Sequence, residues 1–419
     1  MEKAIILQNP HWVKPYKNLF DRKILSKLIF QLSAKEIQVL LGIRRSGKST
    51  IFKLLINHLL KTVSSKSILY INFDDPFFAE IIKSPQNVEK LLDLSEKITN
   101  EPVQYLFLDE IQSMPQWEKF VKSAYDNERF KKMFVTGSNS SLLNAEYARL
   151  LSGRYIADAV YPLSFDEYLS IENLSDRIER LKNKSSVLRI LDSMMEYGGF
   201  PEIVKKKDDF LKREILLNYY ESIILKDCIA LGKIREVKTF QELTHYLITN
   251  ATSLFSYHSA AKAVGGNENS AKEFIRILEN SFLIQEVRKF SFSLQKQSKA
   301  KKKIYCADNG FLANVSFRFS QNRGKLFENL VYSELKKKNY EIFYFADKNE
   351  CDFIVKKENK IKALQVTYEL TDRNKNREIN GLIEAMEKLQ IENGTIISFD
   401  QEEEINGVKV VPFWKYFSS

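Results

Sequence analysis

Residues 42–50 read Gly-Ile-Arg-Arg-Ser-Gly-Lys-Ser-Thr and fill the pattern G-x-x-x-x-G-K-[ST] without a mismatch. The chemistry served by that spacing is polyphosphate binding. Gly42 and Gly47 let the backbone curl, so that the loop through Arg44, Arg45 and Ser46 turns its N–H groups toward phosphate. The helix that follows presents an N-terminus already favourable to negative charge. Lys48 is placed to reach the terminal phosphates, and the hydroxyl of Ser49, followed by Thr50, to hold Mg²⁺. The expected ligand is ATP with Mg²⁺.

A second group is Asp109-Glu110, closing the apolar run Tyr105-Leu106-Phe107-Leu108. A carboxylate at the C-terminal end of a strand can sit beside the phosphate loop and hold Mg²⁺, the role expected of Asp109. Glu110 points differently and can polarise the attacking water. A third run, Phe134-Val135-Thr136-Gly137-Ser138-Asn139-Ser140, ends a strand in small polar residues. Ser138 or Asn139 there can sense a terminal phosphate, or the segment is simply a turn that caps a helix. Arg149 and Arg154 can neutralise charge on the transferred phosphoryl group, in cis or from a neighbouring subunit; the alternative is a surface salt bridge.

These residues need a scaffold. Strand-like runs at Ile37–Leu41, Ile68–Phe73, Tyr105–Leu108, Lys132–Thr136 and Ile156–Val160 alternate with helical patterns, which argues for a parallel sheet covered by helices on both faces. The acidic strand follows an intervening strand, Ile68–Phe73, a layout of NTPases with an extra strand between the loop strand and the acidic strand. Residues 1–35 read as a helical lead-in, 36–165 as the ATPase segment, 166–235 as a helical lid, 236–315 as a winged-helix unit and 320–419 as a final α/β segment. At 419 residues the chain exceeds one core. No apolar stretch reaches the length of a membrane span, and the N-terminus lacks a secretory signal. Three dispersed cysteines suggest neither a disulfide framework nor zinc, and a cytoplasmic location is expected. A net charge of +10 suits either a lysine-rich proteome or a nucleic-acid surface.

The runs GIRRSGKST, FLDEIQ with Trp117, TGSNSSLL, SGRY, YPLSFDEYL, YGGFPE and GKLFENLVYSEL together resemble a widespread prokaryotic family of AAA-type ATP-binding proteins related to archaeal ATPases. The resemblance spans residues 15–415. It implies an α/β P-loop NTPase fold, then a helical and winged-helix segment, then a small α/β domain similar to restriction endonucleases.

In the central segment, Tyr257–Asn267 reads as a helix and a Gly-containing turn, and Ser270–Leu283 as a second helix with one apolar face. Such a helix–turn–helix suits the DNA major groove. Strands at Leu283–Phe290 and Lys303–Ala307 would frame a wing. Between 287 and 303 lie Arg288, Lys289, Lys296, Lys299, Lys301, Lys302 and Lys303 and no acidic residue, which suits phosphate contact with duplex DNA. The nuclease-like core implied by the resemblance requires a helix carboxylate, a strand Asp and a Glu-x-Lys. These positions map to Glu328, Asp352 and Gln365, with Thr367 where the lysine belongs. That departure predicts a degenerate site unless Lys362 or Lys375 supplies the charge. The expected function is an ATP-driven switch acting on DNA. The alternatives are a signalling ATPase that binds a protein partner, with or without homo-oligomer formation, and an ATP-dependent nuclease.

Overall fold

Five runs of β-branched and aromatic residues become the strands β1 (Ile37–Leu41), β2 (Ile68–Asn72), β3 (Tyr105–Asp109), β4 (Lys132–Gly137) and β5 (Tyr155–Ala159). All pair in parallel, in the order β2-β3-β4-β1-β5. This is the P-loop NTPase fold, and β4 is the strand that separates the loop strand β1 from the acidic strand β3. The computed structural model describes residues 1–79, 84–140, 151, 153–315 and 322–418. Its backbone contacts form two compact units, Met1–Val160 and Tyr161–Ser419. The first unit ends at Val160.

Every residue of β1 and β4 is buried, as befits parallel strands covered on both faces. Helix α1 (Lys48–Leu59) contributes Ile51, Phe52, Leu55, Ile56 and Leu59, whose helical spacing forms one apolar stripe. That stripe enters a core with Phe107 and Phe134, whose rings stack at 4.1 Å. Burying each such side chain contributes about 1.5–3 kcal/mol, so the core holds the loop between β1 and α1 in place. The lead-in covers the open edge of β2. Asn9 exchanges hydrogen bonds with the backbone of Tyr70 (3.0 and 2.7 Å), and Trp12 Nε1 donates to the carbonyl of Ile68 (2.8 Å). These side chains satisfy groups that an edge strand would otherwise present to another chain.

The second unit begins with helices Phe165–Ile171, Lys184–Tyr197 and Asp209–Ser222, the last continuing into a π-helical turn, Ile223–Ala230. At the Gly198-Gly199 turn, Gly198 has φ 72°, and a Cβ there would meet Asp308 Oδ1 at 1.6 Å. Asp308 in turn accepts from the Gly199 N–H at 2.8 Å. Gly198 is therefore required by the close approach of Asp308, and Gly199 by the Leu163 carbonyl oxygen, which a Cβ there would meet at 2.5 Å.

After the helix Val237–Thr249 come β6 (Leu254–Phe255), α2 (Tyr257–Ala263), α3 (Glu268–Asn280), β7 (Ile284–Arg288) and β8 (Lys302–Cys306), with an antiparallel sheet in the order β6-β8-β7. Helix α4 (Arg323–Lys337) follows, then β9 (Glu341–Ala346), β10 (Glu350–Lys357) and β11 (Lys360–Thr367) as an antiparallel meander. Next are α5 (Lys375–Leu389), β12 (Gly394–Ser398), β13 (Glu403–Ile405) and β14 (Val408–Pro412). The final sheet has the order β13-β14-β12-β11-β10-β9.

Candidate active site at the phosphate loop

The loop after β1 is shaped by two glycines for two reasons. Gly47 is left-handed (φ 101°), and a Cβ on Gly42 would meet the Val160 carbonyl oxygen at 2.0 Å. Arg45 also takes a left-handed φ of 71°. Arg22 from the lead-in donates to the Ser46 carbonyl at 2.9 Å and braces the loop from below. Arg44 Nη1 pairs with Asp74 at 3.0 Å. Lys48 is 3% exposed and donates to the carbonyls of Gly42 (2.8 Å) and Ile43 (3.3 Å), with Glu110 Oε1 at 3.5 Å.

The parallel register places Thr136 on β4 beside the end of β3. Its hydroxyl donates to Asp109 Oδ1 and accepts from the Glu110 N–H at 2.9 Å, so one side chain holds the Asp109 carboxylate and the Glu110 backbone. Tyr70 donates to Asp109 Oδ2 at 2.5 Å, and Ser49 bonds the same carboxyl. Burial, with Glu110 adjacent, pushes the Asp109 carboxyl up despite these hydrogen bonds. Glu110 sits at a left-handed φ of 55°. Burial would raise it too, but Lys48, Arg44, Gln112 and Ser138 outweigh that effect and hold it below the usual carboxylate value. Gln112 Nε2 bridges Glu110 Oε2 (2.5 Å) and Ser138 Oγ (3.1 Å).

The residues fit a magnesium nucleotide. The Ser46 hydroxyl and the Gln112 Oε1 are buried without a hydrogen-bond partner, which buried polar groups avoid unless a ligand or water supplies one. Lys48 rests on backbone carbonyls that a phosphate can replace. Lys48, Ser49, Asp109, Glu110 and Ser138 therefore converge as expected. Thr50 lies in the first turn of α1, and Asn139 is buried at the end of β4.

Arg154 does not converge. It lies just before β5, where its carbonyl accepts from the Ile37 N–H, at the end of the sheet opposite the phosphate loop. Its side chain pairs with Asp126 at 2.7 Å. Of the two roles expected for Arg154, in cis or from a neighbouring subunit, the cis one is not met, because parallel pairing of β5 with β1 puts a strand length between it and Gly42. Arg149 lies outside the described residues. Sequence reasoning missed Gln112, Thr136, Tyr70 and Arg22. Gln112, two residues after Glu110, was the one with a local signal.

A family model described as an AAA domain matches residues 34–169. Two domains of unknown function, DUF8612 and DUF4143, match residues 188–322 and 323–416. An uncharacterized protein of Methanocaldococcus jannaschii is 32% identical, over 99% of this chain and 94% of its own length. The chain belongs to this AAA-domain family. An uncharacterized protein of Haemophilus influenzae is 28% identical, over 90% of this chain and 92% of its own. The Orc1 protein of Aeropyrum pernix, solved in complex with DNA, is similar at 10% identity and a TM-score of 0.36, over 73% of this chain and 94% of that one. Such a likeness is too distant to carry an argument about function.

The second cluster in this AAA protein lies in the C-terminal half. The sequence places Glu328 on α4, Asp352 on β10 and Gln365 on β11, and the structure does bring them together, in a polar cleft of about 740 Å³. The cation among them is neither Lys362 nor Lys375. It is Lys303 of β8, whose Nζ lies 3.0 Å from Glu328, 2.6 Å from Glu350 and 3.3 Å from Asp352. Burial would lower the Lys303 ammonium, but Glu328, Tyr305, Asp352 and Glu350 raise it well above its ordinary value. Burial and Glu328 push the Asp352 carboxyl above its ordinary value, against the pull of Lys303. This corrects the expected basic wing. Lys302 and Lys303 are buried, so the exposed cations of residues 287–303 are Arg288, Lys296, Lys299 and Lys301, with Lys289 half-buried. The stretch between β7 and β8 includes a short helix, Leu294–Lys299.

Proposed function

We propose that this AAA protein binds MgATP and hydrolyses it, using the cycle as a switch. The observation that carries the reading is Glu110 held beside Lys48 and bridged through Gln112 to Ser138. Lys48 and the loop N–H groups would hold the β- and γ-phosphates. Ser49 and Asp109 would hold Mg²⁺, which neutralises charge developing on the phosphates. Glu110, kept ionised, would accept a hydrogen bond from the attacking water. Its lowered pKa suits orienting and polarising that water better than removing its proton early, since a strong general base needs a pKa near the working pH. Ser138 and the unpartnered Gln112 Oε1 would complete the water's surroundings.

The target we propose is duplex DNA, through a winged-helix unit built from Val237–Thr249, α2, α3 and the β7–β8 hairpin. Its support is the order of elements and the exposed cations Arg288, Lys296, Lys299 and Lys301. The outer face of α3 carries both signs, Glu268 and Glu273 with Lys272 and Arg276, so phosphate contact would fall mainly to the hairpin. A protein partner is the second reading, supported by a groove of about 1060 Å³ where Leu225 stands 55% exposed near Ile224, Tyr246 and Val264. We read the C-terminal domain as restriction-endonuclease-like in fold and degenerate in its chemistry. No helix among the described residues is long and apolar enough to cross a membrane, and all three cysteines are buried.

The test is ATP turnover of the full chain with and without duplex DNA at two salt concentrations, with Glu110→Gln alongside. Stimulation that fades with salt supports the DNA switch. Turnover indifferent to DNA at both salts moves the target to a protein. Glu110→Gln should bind ATP and hydrolyse it about 10²- to 10⁴-fold more slowly; full turnover in that variant removes Glu110 from its role.

A further inference from the structure

The nuclease-like arrangement of Glu328, Asp352 and Gln365 implies a divalent metal, and the residues present do not fit one. Glu328 Oε1 accepts from both Lys303 and Tyr305, the latter at 2.7 Å. Asp352 Oδ1 faces Lys303, and Oδ2 accepts from the Val366 N–H at 3.0 Å. Gln365, whose carbonyl oxygen would be the remaining ligand, accepts from the Asp352 N–H at 3.1 Å and turns its amide nitrogen to Glu378. Glu378 is also held by Arg377. One oxygen of Glu328, both oxygens of Asp352 and the carbonyl oxygen of Gln365 are thus engaged. Among the described residues no group of three or more His, Cys, Asp or Glu side chains is arranged to hold a metal ion.

What the carboxylates do hold is an ammonium. Lys303 is 1% exposed and sits on the middle strand of the β6-β8-β7 sheet. Its partners come from α4, from the residue that opens β10, and from β10 itself. The ion pairs thus join the stretch that matches DUF8612 to the stretch that matches DUF4143. Two further contacts fasten the same seam: the Phe290 N–H donates to the Tyr344 carbonyl at 2.7 Å, and the Tyr344 hydroxyl donates to the Lys301 carbonyl at 2.5 Å. A buried charge is tolerated only when paired, and it has few alternative places to go.

We propose that Lys303 is the resident cation of this cluster: it locks β8 to the C-terminal domain, and the cleft excludes divalent metal while the lock is closed. The lysine missing at Thr367 is replaced in space by one whose ammonium takes the metal's place. Metal binding and occupancy of the cluster by the Lys303 ammonium are then mutually exclusive.

The experiment is a Mn²⁺ titration of the nucleotide-free full chain, followed by EPR. Wild type should show no site at this cluster tighter than about 1 mM. Lys303→Met should gain one site, at least roughly tenfold tighter, and Lys303→Met/Asp352→Asn should lose it again. Lys303→Arg, which keeps the charge, should stay closed to metal. A wild-type site that disappears in Asp352→Asn would overturn the proposal, and so would a folded Lys303→Met that binds nothing. Should Lys303→Met fail to fold, the triple variant Lys303→Met/Glu328→Gln/Asp352→Asn decides. Recovery of folding shows that unpaired carboxylates were the fault and supports the lock; failure of the triple variant as well overturns it.

Discussion

Two buried lysines define the two halves of this molecule, and their partners differ in kind. Lys48 rests on the carbonyls of Gly42 and Ile43 with a single carboxylate, Glu110, at 3.5 Å. Lys303 is ringed by Glu328, Glu350 and Asp352. Neutral carbonyls satisfy an ammonium's donors without cancelling its charge, so an incoming phosphate can take it over. Three carboxyl groups more than offset it and commit its donors, and no positive charge remains for an anionic ligand. The same side chain, buried to the same degree, is available in one place and committed in the other.

Substitution at each lysine should separate these roles. Lys48→Ala is expected to lower ATP turnover by about 10³-fold or more, since it removes a charge aimed at the transferring group. Its melting temperature should fall less than that of Lys303→Met, because the carbonyls left behind can be hydrated and Glu110 keeps Arg44, Gln112 and Ser138 as partners. Lys303→Met should do the reverse. It leaves uncompensated buried carboxylates, a loss of about 3–5 kcal/mol, visible in chemical denaturation of the second unit while nucleotide binding persists. Equal stability of the two variants would break the comparison.

Acid should distinguish the units as well. Burial lowers His11 from 6.5 to about 4, partly offset by its bond to the Ile68 carbonyl. A depressed folded pKa contributes stability that is present above the unfolded value and lost as pH falls through the folded one. The first unit should therefore lose up to about 3 kcal/mol between pH 6.5 and 4, and His11→Gln should flatten that slope in urea melts. The smallest effect expected is that of Gln112→Ala, about tenfold in turnover with ATP affinity retained. A change in affinity instead would mean that Gln112 serves the loop and not the water.

Much of the first unit was legible because its chemistry is local in sequence. Gly42–Thr50 is one contiguous loop, and Asp109-Glu110 is read from its own strand. The five strands could be found from short apolar runs bounded by helical patterns. What was not legible depended on pairing between distant segments. Arg154 looked catalytic next to Gly153, and only the parallel register of β5 with β1 put it at the wrong end of the sheet. Thr136 looked like an ordinary strand residue until β4 was seated beside β3.

The lysine absent at Thr367 was sought nearby, at Lys362 and Lys375, and came from Lys303 on a strand of another sheet. In sequence, Lys303 closes a run of solvated-looking cations; in space it is the most enclosed of them. The sequence by itself determined the phosphate loop, the acidic strand and the order of elements, because each is fixed by residues within one or two turns of the chain. Tertiary structure alone decided which charges are free. Coulomb attraction and desolvation act through space, and they depend on what the fold brings within a few ångströms.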